Sequence, residues 1–396
     1  MTLRRPNTAF VGALAAAALA LSACGGNSAP SSGAVKSKSS GVVKIKIGWI
    51  PPNTTGVFQT ATQYFQKAAQ EANKNGFDVQ IVTQAPSGGE ANTAGLNQIM
   101  ENMITQGVDV ITVSPGNTEA IKPAVRAANA AGIPVVYVNL LDVQKDVKVD
   151  AYVGFDNVNA AKVSAYALLD YLGGPGVLGA GEKVKVDPSA PLDLKWWEKT
   201  YANVDKSSIR GQGVVIEGVK GTIYSTQRLQ GFNEVISQFP NVKVLGTLPG
   251  DWDRGKGATA TEDLITRFPN AGFVWAASNE MALGAINVLT PTGRLDVNPN
   301  GAPPTAGKVS VLTNDNTPES TDAIRKGLII AETTHGFPDW GWVGTSIAVK
   351  LVCKEKVDVR TDINPRTVYF GNPDQFYPNP KLPTIDWSGI RSNCKK

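Results

Sequence analysis

The sequence predicts an α/β protein built as two doubly wound parallel-sheet lobes. Three observations predict it. First, its apolar, β-branched runs are continuous rather than alternating, as expected for strands covered by helices on both faces. Second, these runs alternate with helix-spaced apolar stretches, and in the first half the helices stop at glycines 76, 107 and 132, about one strand-plus-helix unit apart. Third, the series appears twice, before and after about residue 156, in a chain of 396 residues. That length suits roughly two or three domains.

In chain order, residues 1–23 are set aside first, as a signal peptide. Arg4 and Arg5 form a basic start, and the apolar stretch 9–21 is too short to cross a bilayer. Leu21-Ser22-Ala23-Cys24 resembles a bacterial lipobox, which implies cleavage before Cys24 and lipidation of it. Residues 24–43, mostly Gly, Ser, Ala, Pro, Asn and Lys, are expected to be a flexible tether. The folded part would then sit outside the cytoplasmic membrane, held by lipid.

Residues 44–50 form the first expected strand. Phe58, Ala61, Phe65, Ala68, Ala69 and Ala72 follow at helical spacing. Strand 77–82 comes next, then a helix carrying Leu96, Ile99, Met100, Met103 and Ile104. Strand 108–113, helix 118–131 and strand 133–139 complete the first series. The second series reads helix 157–172, strand 214–219, helix 225–239, strand 242–248, helix 256–268, strand 272–277 and helix 280–289. Strand 309–314, helix 318–326, strand 328–333 and helix 339–354 close it. Residues 174–211, rich in Gly, Pro and Lys, are expected to be an insertion with one short helix, whose Trp196-Trp197 packs locally. Residues 371–396 form a Pro-rich tail. Cys353 and Cys394, outside the cytoplasm, are expected to pair, with two free thiols as the alternative.

Composition removes several classes of function. Lys and Arg number 38 against 34 Asp and Glu, a formal charge of +4, too small to mark a nucleic-acid binder. One His and three scattered Cys argue against His-based catalysis and give no zinc pattern. Asp296-Val297-Asn298-Pro299-Asn300-Gly301 copies the start of a calcium loop, but the closing acidic position is Gly307. Gly173-Gly174-Pro175-Gly176 lacks the Gly-Lys-Ser/Thr of a phosphate loop. No Gly-x-Ser-x-Gly and no paired-carboxylate motif stands out. No catalytic residue, metal or cofactor is expected.

In doubly wound sheets, ligands bind beyond the carboxyl ends of the strands. Those positions hold Asn53 and Phe58, Asn139, Asp156, Arg228, Trp252 with Asp253, Ser278, Asn279 with Glu280, Asp315 and His335. Neutral amides, a few charges and aromatic faces suit a sugar or polyol. Each hydroxyl both donates and accepts, Arg and Asp give charge-assisted bonds, and C–H faces stack on rings. Plainer roles are open to each: a surface pair for Arg228, inter-lobe packing for Trp252, a helix cap for Asp315, a satisfied loop for His335, the helix core for Phe58.

Five stretches carry a family resemblance. Asn279-Glu280-Met281-Ala282-Leu283-Gly284-Ala285 after an apolar strand looks like a signature of type I periplasmic sugar-binding proteins, the ribose-binding group. Gly250-Asp251-Trp252-Asp253-Arg254, Gln227-Arg228-Leu229-Gln230-Gly231-Phe232, Gly132-Ile133-Pro134-Val135-Val136 and Asn314-Asp315-Asn316-Thr317-Pro318 stand in the family order. The resemblance covers roughly residues 44–370 apart from the insertion. It implies a three-strand hinge crossed near 155, 336 and 366, with lobe one 44–155 plus 336–366 and lobe two 156–335 plus 367–396. It implies that Phe58 and Trp252 are aromatic walls, that Asn53 is a polar partner, and that Arg228, Asp315 and either Ser278 or Asn279 grip ligand. Asn139 stands where the group has Asp, Leu140 where it usually has Arg, and His335 where it often has Gln, so the sugar is not fixed as ribose. The implied role is that of a monomeric solute-binding lipoprotein of an ABC importer. It would take a monosaccharide or sugar alcohol, close by hinge motion and dock on a membrane permease. A lipoprotein presenting an autoinducer-like signal to a membrane receptor is the alternative. A surface glycosidase or esterase has no visible catalytic constellation, and residues 1–43 leave no room for a repressor's helix-turn-helix.

Overall fold

The computed structural model describes residues 41–394, apart from 180–183, 185 and 188. The signal peptide, Cys24 and most of the tether lie outside the described residues. The first half of the chain forms β1 (Val43–Ile50), α1 (Gly56–Asn73), β2 (Phe77–Thr83), α2 (Thr93–Thr105), β3 (Val110–Val113), α3 (Lys122–Ala130), β4 (Val135–Val138) and β5 (Ala151–Gly154). Then come α4 (Asn157–Tyr171), α5 (Leu194–Tyr201), β6 (Gly211–Glu217), α6 (Ile223–Ile236), β7 (Val242–Pro249), α7 (Arg254–Arg267), β8 (Phe273–Ala276) and α8 (Asn279–Leu289). The chain ends with β9 (Ser310–Asp315), α9 (Pro318–Arg325), β10 (Ala331–Thr334), α10 (Phe337–Val352), β11 (Arg360–Asp362), β12 (Arg366–Tyr369) and α11 (Trp387–Asn393). Among the described residues no helix is long and apolar enough to cross a membrane.

Two six-stranded sheets result, ordered β11-β5-β4-β3-β1-β2 and β12-β10-β9-β8-β6-β7. Every pairing is parallel except β10 with β12. In each sheet the order reverses beside its first strand, β1 or β6, which opens a crevice at the carboxyl ends. The central strands β3, β4, β8 and β9 are buried along their whole length, which is why they read as unbroken apolar runs. Trp49 stacks on Phe65 at 4.6 Å in the first lobe, and Phe232 on Trp275 at 4.2 Å in the second. The helices start where capping side chains meet free N–H groups. Asp156 accepts from Asn159 N on α4, Asp193 from Trp196 N on α5 and Asp253 from Lys256 N on α7, at 2.8–2.9 Å. Each such cap stabilises its helix by about 1 kcal/mol.

The chain passes between the sheets after β5, after β10 and between β11 and β12. These passages touch. Phe155 stacks on His335 at 4.0 Å, and Ile363 N donates to Gly154 O at 2.7 Å.

Several elements depart from the sequence expectation. The strand expected at 328–333 starts at Ala331, because Leu328 N and Ile329 N turn back onto Ala323 O. The short strands β5, β11 and β12 and the helix α11 were not anticipated. The end of the tail belongs with the first lobe rather than the second. Phe376 and Tyr377 join the second core, but Trp387 and Ile390 join the first. Trp387 meets Phe77 edge-on at 6.4 Å and Arg391 Nε donates to Gly76 O at 3.0 Å. A disulfide links Cys353, at the end of α10, to Cys394 just past α11. The physical cause is apolar: a tail carrying Trp and Ile is drawn to the exposed edge of the first core. In the insertion, Trp197 is fully buried and its Nε1 donates to Thr367 Oγ1 at 2.8 Å.

Candidate functional site

A cavity of about 340 Å³ lies between the two sheets, at the carboxyl ends of their strands. Asn53 and Phe58 follow β1, Glu90 follows β2 and Asn139 follows β4. From the other side come Tyr224 and Arg228 on α6, Trp252 after β7, Ser278 and Asn279 after β8, and Asp315 at the end of β9. Phe337 and Trp340, on α10, form part of the wall.

Backbone strain gathers at this place. The described residues include seven non-glycine residues with left-handed φ, and four of them, Asn139, Asp251, Trp252 and Asp315, line the cavity, with Asn316 adjoining. Such conformations cost about 1–3 kcal/mol each and persist only where the surroundings impose them. Trp252 gains its seat from a missing side chain: a Cβ on Gly218 would fall 1.9 Å from the indole ring.

Arg228 is the electrostatic centre. Its Nη1 donates to Asp315 Oδ1 at 2.8 Å and its Nε to Asn157 Oδ1 at 3.2 Å. Its guanidinium carbon lies 5.1 Å from the Trp252 ring centroid, a cation–π contact. Asp315 Oδ2 accepts from Asn279 N at 3.3 Å. Burial alone would raise the Asp315 carboxyl, but Arg228 and His335 together hold it below the ordinary range, so it stays ionised. His335 Nδ1 lies 3.2 Å from Asp315 Oδ1 and 3.3 Å from Arg228 Nη2. Burial, then the charge of Arg228, lowers the imidazole to about 4. His335 is therefore neutral at physiological pH.

The remaining charges on the wall are largely answered. Glu280 Oε2 accepts from Arg254 Nε at 3.0 Å, and Asp251 Oδ2 from Lys256 Nζ at 2.8 Å. Burial raises the Glu90 carboxyl, against the pull of Thr222, Trp252 and Arg228. Several shielded wall atoms have no hydrogen-bond partner: Glu90 Oε1, Asn139 Oδ1, Ser278 Oγ, Asn279 Oδ1 and Trp252 Nε1. Buried polar atoms are seldom left so, and all five belong to residues that line the cavity. Among the described residues no cluster of His, Cys, Asp and Glu could hold a metal ion.

Ten of the twelve residues singled out from the sequence thus line this one cavity, from its two sides: Asn53, Phe58, Asn139, Arg228, Trp252, Asp253, Ser278, Asn279, Glu280 and Asp315. Two do not. Asp156 spends its side chain capping α4, and the neighbouring Asn157 is the one that reaches Arg228. His335 stands behind Asp315, fully buried, stacked on Phe155. Asp315 is not the cap of α9, because Thr317 and Ser320 form a capping box there. Asp296, in the calcium-like stretch, is consumed by Tyr171 Oη at 2.8 Å and Ser310 Oγ at 2.9 Å. Glu90, Tyr224, Phe337 and Trp340 were missed. The carboxyl-end rule points to Glu90 as well, through Gly88-Gly89 after β2. Tyr224 and Trp340 sit at helix positions that read as ordinary core.

Comparison with known proteins agrees with this architecture. The chain is 26% identical over 302 residues to the ribose import binding protein of Salmonella typhimurium, covering 76% of this chain and 83% of the relative. It is 25% identical over 264 residues to the xylitol-binding protein of Mycolicibacterium smegmatis, covering 66% of this chain and 61% of that protein. An ABC transporter periplasmic solute-binding protein of Actinobacillus succinogenes 130z, solved with bound D-allose, superposes with a TM-score of 0.66 at 21% identity. The superposition covers 84% of this chain and all of that one. Two parallel sheets with a shared cavity at the reversal points of their strand order are the type I periplasmic binding protein fold. The model of the periplasmic binding protein domain matches residues 47–356, most of the chain, and the chain belongs to that family.

Proposed function

We propose that this chain is an extracytoplasmic solute-binding protein of an ABC importer, holding an uncharged monosaccharide or sugar alcohol in the cavity between its lobes. It would be tethered by lipid at Cys24, act as a monomer, and deliver its cargo unchanged to a membrane permease. The ligands named for the relatives, ribose, xylitol and D-allose, support the class.

The observation that carries the reading is the inventory of unanswered wall atoms. Asn139 Oδ1 and Asn279 Oδ1 can only accept, and Ser278 Oγ can do either. The cations that line the cavity, Arg228 and Lys256, are already paired with Asp315 and Asp251. A site that asks mainly for protons suits hydroxyl groups, each of which brings one. A sugar acid or sugar phosphate would bring more acceptors and a charge with no counter-ion. The aromatic faces of Phe58 and Trp252 suit the C–H faces of such a molecule.

Thermal denaturation against a panel tests this directly. D-ribose, D-allose and xylitol form one arm, and D-ribonate and ribose 5-phosphate the other. At least one neutral member is expected to raise Tm, by the equivalent of about 4 kcal/mol at a thousandfold excess over Kd. The charged members are expected to do nothing. Silence across the neutral arm, or a response only to the charged one, contradicts the reading.

A further inference from the structure

The strand that carries Asp315 runs out into two consecutive left-handed residues, Asp315 at φ 108° and Asn316 at φ 76°. Neither is glycine, so this turn persists only because its surroundings impose it. The peptide between the two is held at both ends. Asp315 O accepts from His335 N at 3.0 Å, and Asn316 N donates to Glu332 Oε1 at 2.7 Å. The first bond continues the parallel ladder of β9 with β10, whose register ends at Thr334 and Asp315. The second lies past the ladder, where a side chain has to meet the next N–H. Glu332 takes the Asn316 amide too: Nδ2 donates to Glu332 Oε2 at 3.1 Å and to Thr321 Oγ1 at 2.9 Å. Tyr377 Oη donates to Asn316 O in a longer bond of 3.4 Å. Glu332 is buried behind the cavity and does not line it, whereas Asp315 does.

We propose that Glu332 is a positioning residue for ligand binding: through Asn316 it holds the left-handed turn that keeps the Asp315 carboxylate in place on the cavity wall. Asp315 needs such a hold because its two oxygens have separate tasks. Oδ1 accepts from Arg228 Nη1 and Oδ2 from Asn279 N. A turn relaxed toward the ordinary backbone region would swing the Asp315 side chain away from both. The clamp also has a chemical signature. Both oxygens of Glu332 accept from nitrogens of one residue, so removing them leaves two buried donors of Asn316 short of partners, which is costly. A glycine at 316 would need far less holding, since it takes positive φ at no steric cost and has no amide to satisfy. The inference rests on the polyol reading of the cavity and adds to it the residue behind the wall that sets one wall group.

Titration calorimetry tests it, with the tightest binder among D-ribose, D-allose and xylitol. The proteins compared are the unmodified chain, Glu332→Met, Asn316→Gly and the double variant. Glu332→Met keeps the bulk and removes both acceptors, and is expected to weaken binding at least about tenfold. Asn316→Gly is expected to bind within about threefold of the unmodified protein. The double variant is expected to regain most of the affinity lost in Glu332→Met, because glycine holds the turn unaided; that non-additivity is the mark of coupled residues. A Glu332 that serves stability alone gives another pattern. The unliganded Tm falls, the folded protein binds as before, and Asn316→Gly rescues nothing. If Glu332→Met does not fold, Glu332→Gln carries the same comparison: it sets a side-chain NH2 against Asn316 Nδ2, donor against donor, and Asn316→Gly removes the conflict. A Glu332 variant that binds as tightly as the unmodified protein, or a double variant no tighter than the Glu332 variant alone, overturns the inference while the polyol reading stands. If the unmodified protein binds nothing in the panel, both fall.

Discussion

Arg228, Asp315 and His335 form a buried group in which two charges cancel and the third member stays neutral. A buried ion pair is costly to desolvate, and it serves here to fix geometry rather than to add stability. The pair holds Asp315 ionised and the guanidinium plane against Trp252, so the wall is organised before ligand arrives. His335 gives this arrangement a pH signature. In the unfolded chain its imidazole has the ordinary value near 6.5, and in the folded chain about 4. Between those values the unfolded chain binds a proton that the folded chain refuses. Stability from this residue is therefore complete above pH 6.5 and is lost as acid is added toward pH 4, by roughly 3 kcal/mol in all. Glu332, which burial raises to about 8, acts in the opposite sense. It is present in both proteins when unmodified chain and His335→Gln are compared, so the difference isolates His335. Urea unfolding at pH 7, 5.5 and 4.5 is expected to show the unmodified protein losing ground to His335→Gln as pH falls; parallel curves contradict it. The sequence alone made Arg228, Trp252 and Asp315 legible, because Trp252 and Asp315 stand at or just past the carboxyl end of a strand and Arg228 lies in the helix that follows one. It did not reveal that Asp156 caps its own helix while Asn157 holds Arg228. One residue of register decides that, and both types suit either role.

At the scale of elements, α6 does more than carry Arg228. Its first turn places Tyr224 across the cleft, where the ring is buried among first-lobe residues such as Leu140 and Tyr137. The Tyr224 hydroxyl donates to Pro115 O at 2.9 Å and lies 3.5 Å from Ser114 Oγ. Gln227, one turn on, donates to Asp142 Oδ2 at 3.2 Å. These contacts exist only while the lobes are together, so they favour the closed form. Tyr224→Phe keeps the packing and removes one hydrogen bond, worth about 0.5–1.5 kcal/mol. Affinity for the best polyol is expected to fall roughly three- to tenfold with little change in the Tm of the unliganded protein. Unchanged affinity by calorimetry would contradict a role in closure. The long amphipathic helices and the central strands were legible because burial on both faces leaves continuous apolar runs. The strands β5, β11 and β12 were not: β11 reads Arg-Thr-Asp and β12 Arg-Thr-Val-Tyr, with no apolar run, and Gly154 cuts β5 short. Their pairing depends on neighbours far away in sequence. The position of α11 was hidden for the same reason: Trp387 and Ile390 signal burial but not which lobe receives them.

For the whole molecule, two sheets joined by three adjacent passages, with the tail returning once more from the second core to the first, make a clamp whose halves meet at a cavity with unanswered polar atoms. The touching of Phe155 with His335 and of Gly154 with Ile363 keeps the passages together, so rotation about them is the easiest large motion. A ligand that completes contacts on both walls shifts the population toward the closed form by its extra affinity for that form. Small-angle X-ray scattering on the unliganded protein, then with a saturating amount of the neutral polyol that stabilises it most, measures this shift. The radius of gyration is expected to fall on addition and to stay unchanged on addition of a sugar acid. A radius that does not respond to a polyol shown to bind would contradict a clamp that closes on an uncharged, hydroxyl-rich molecule.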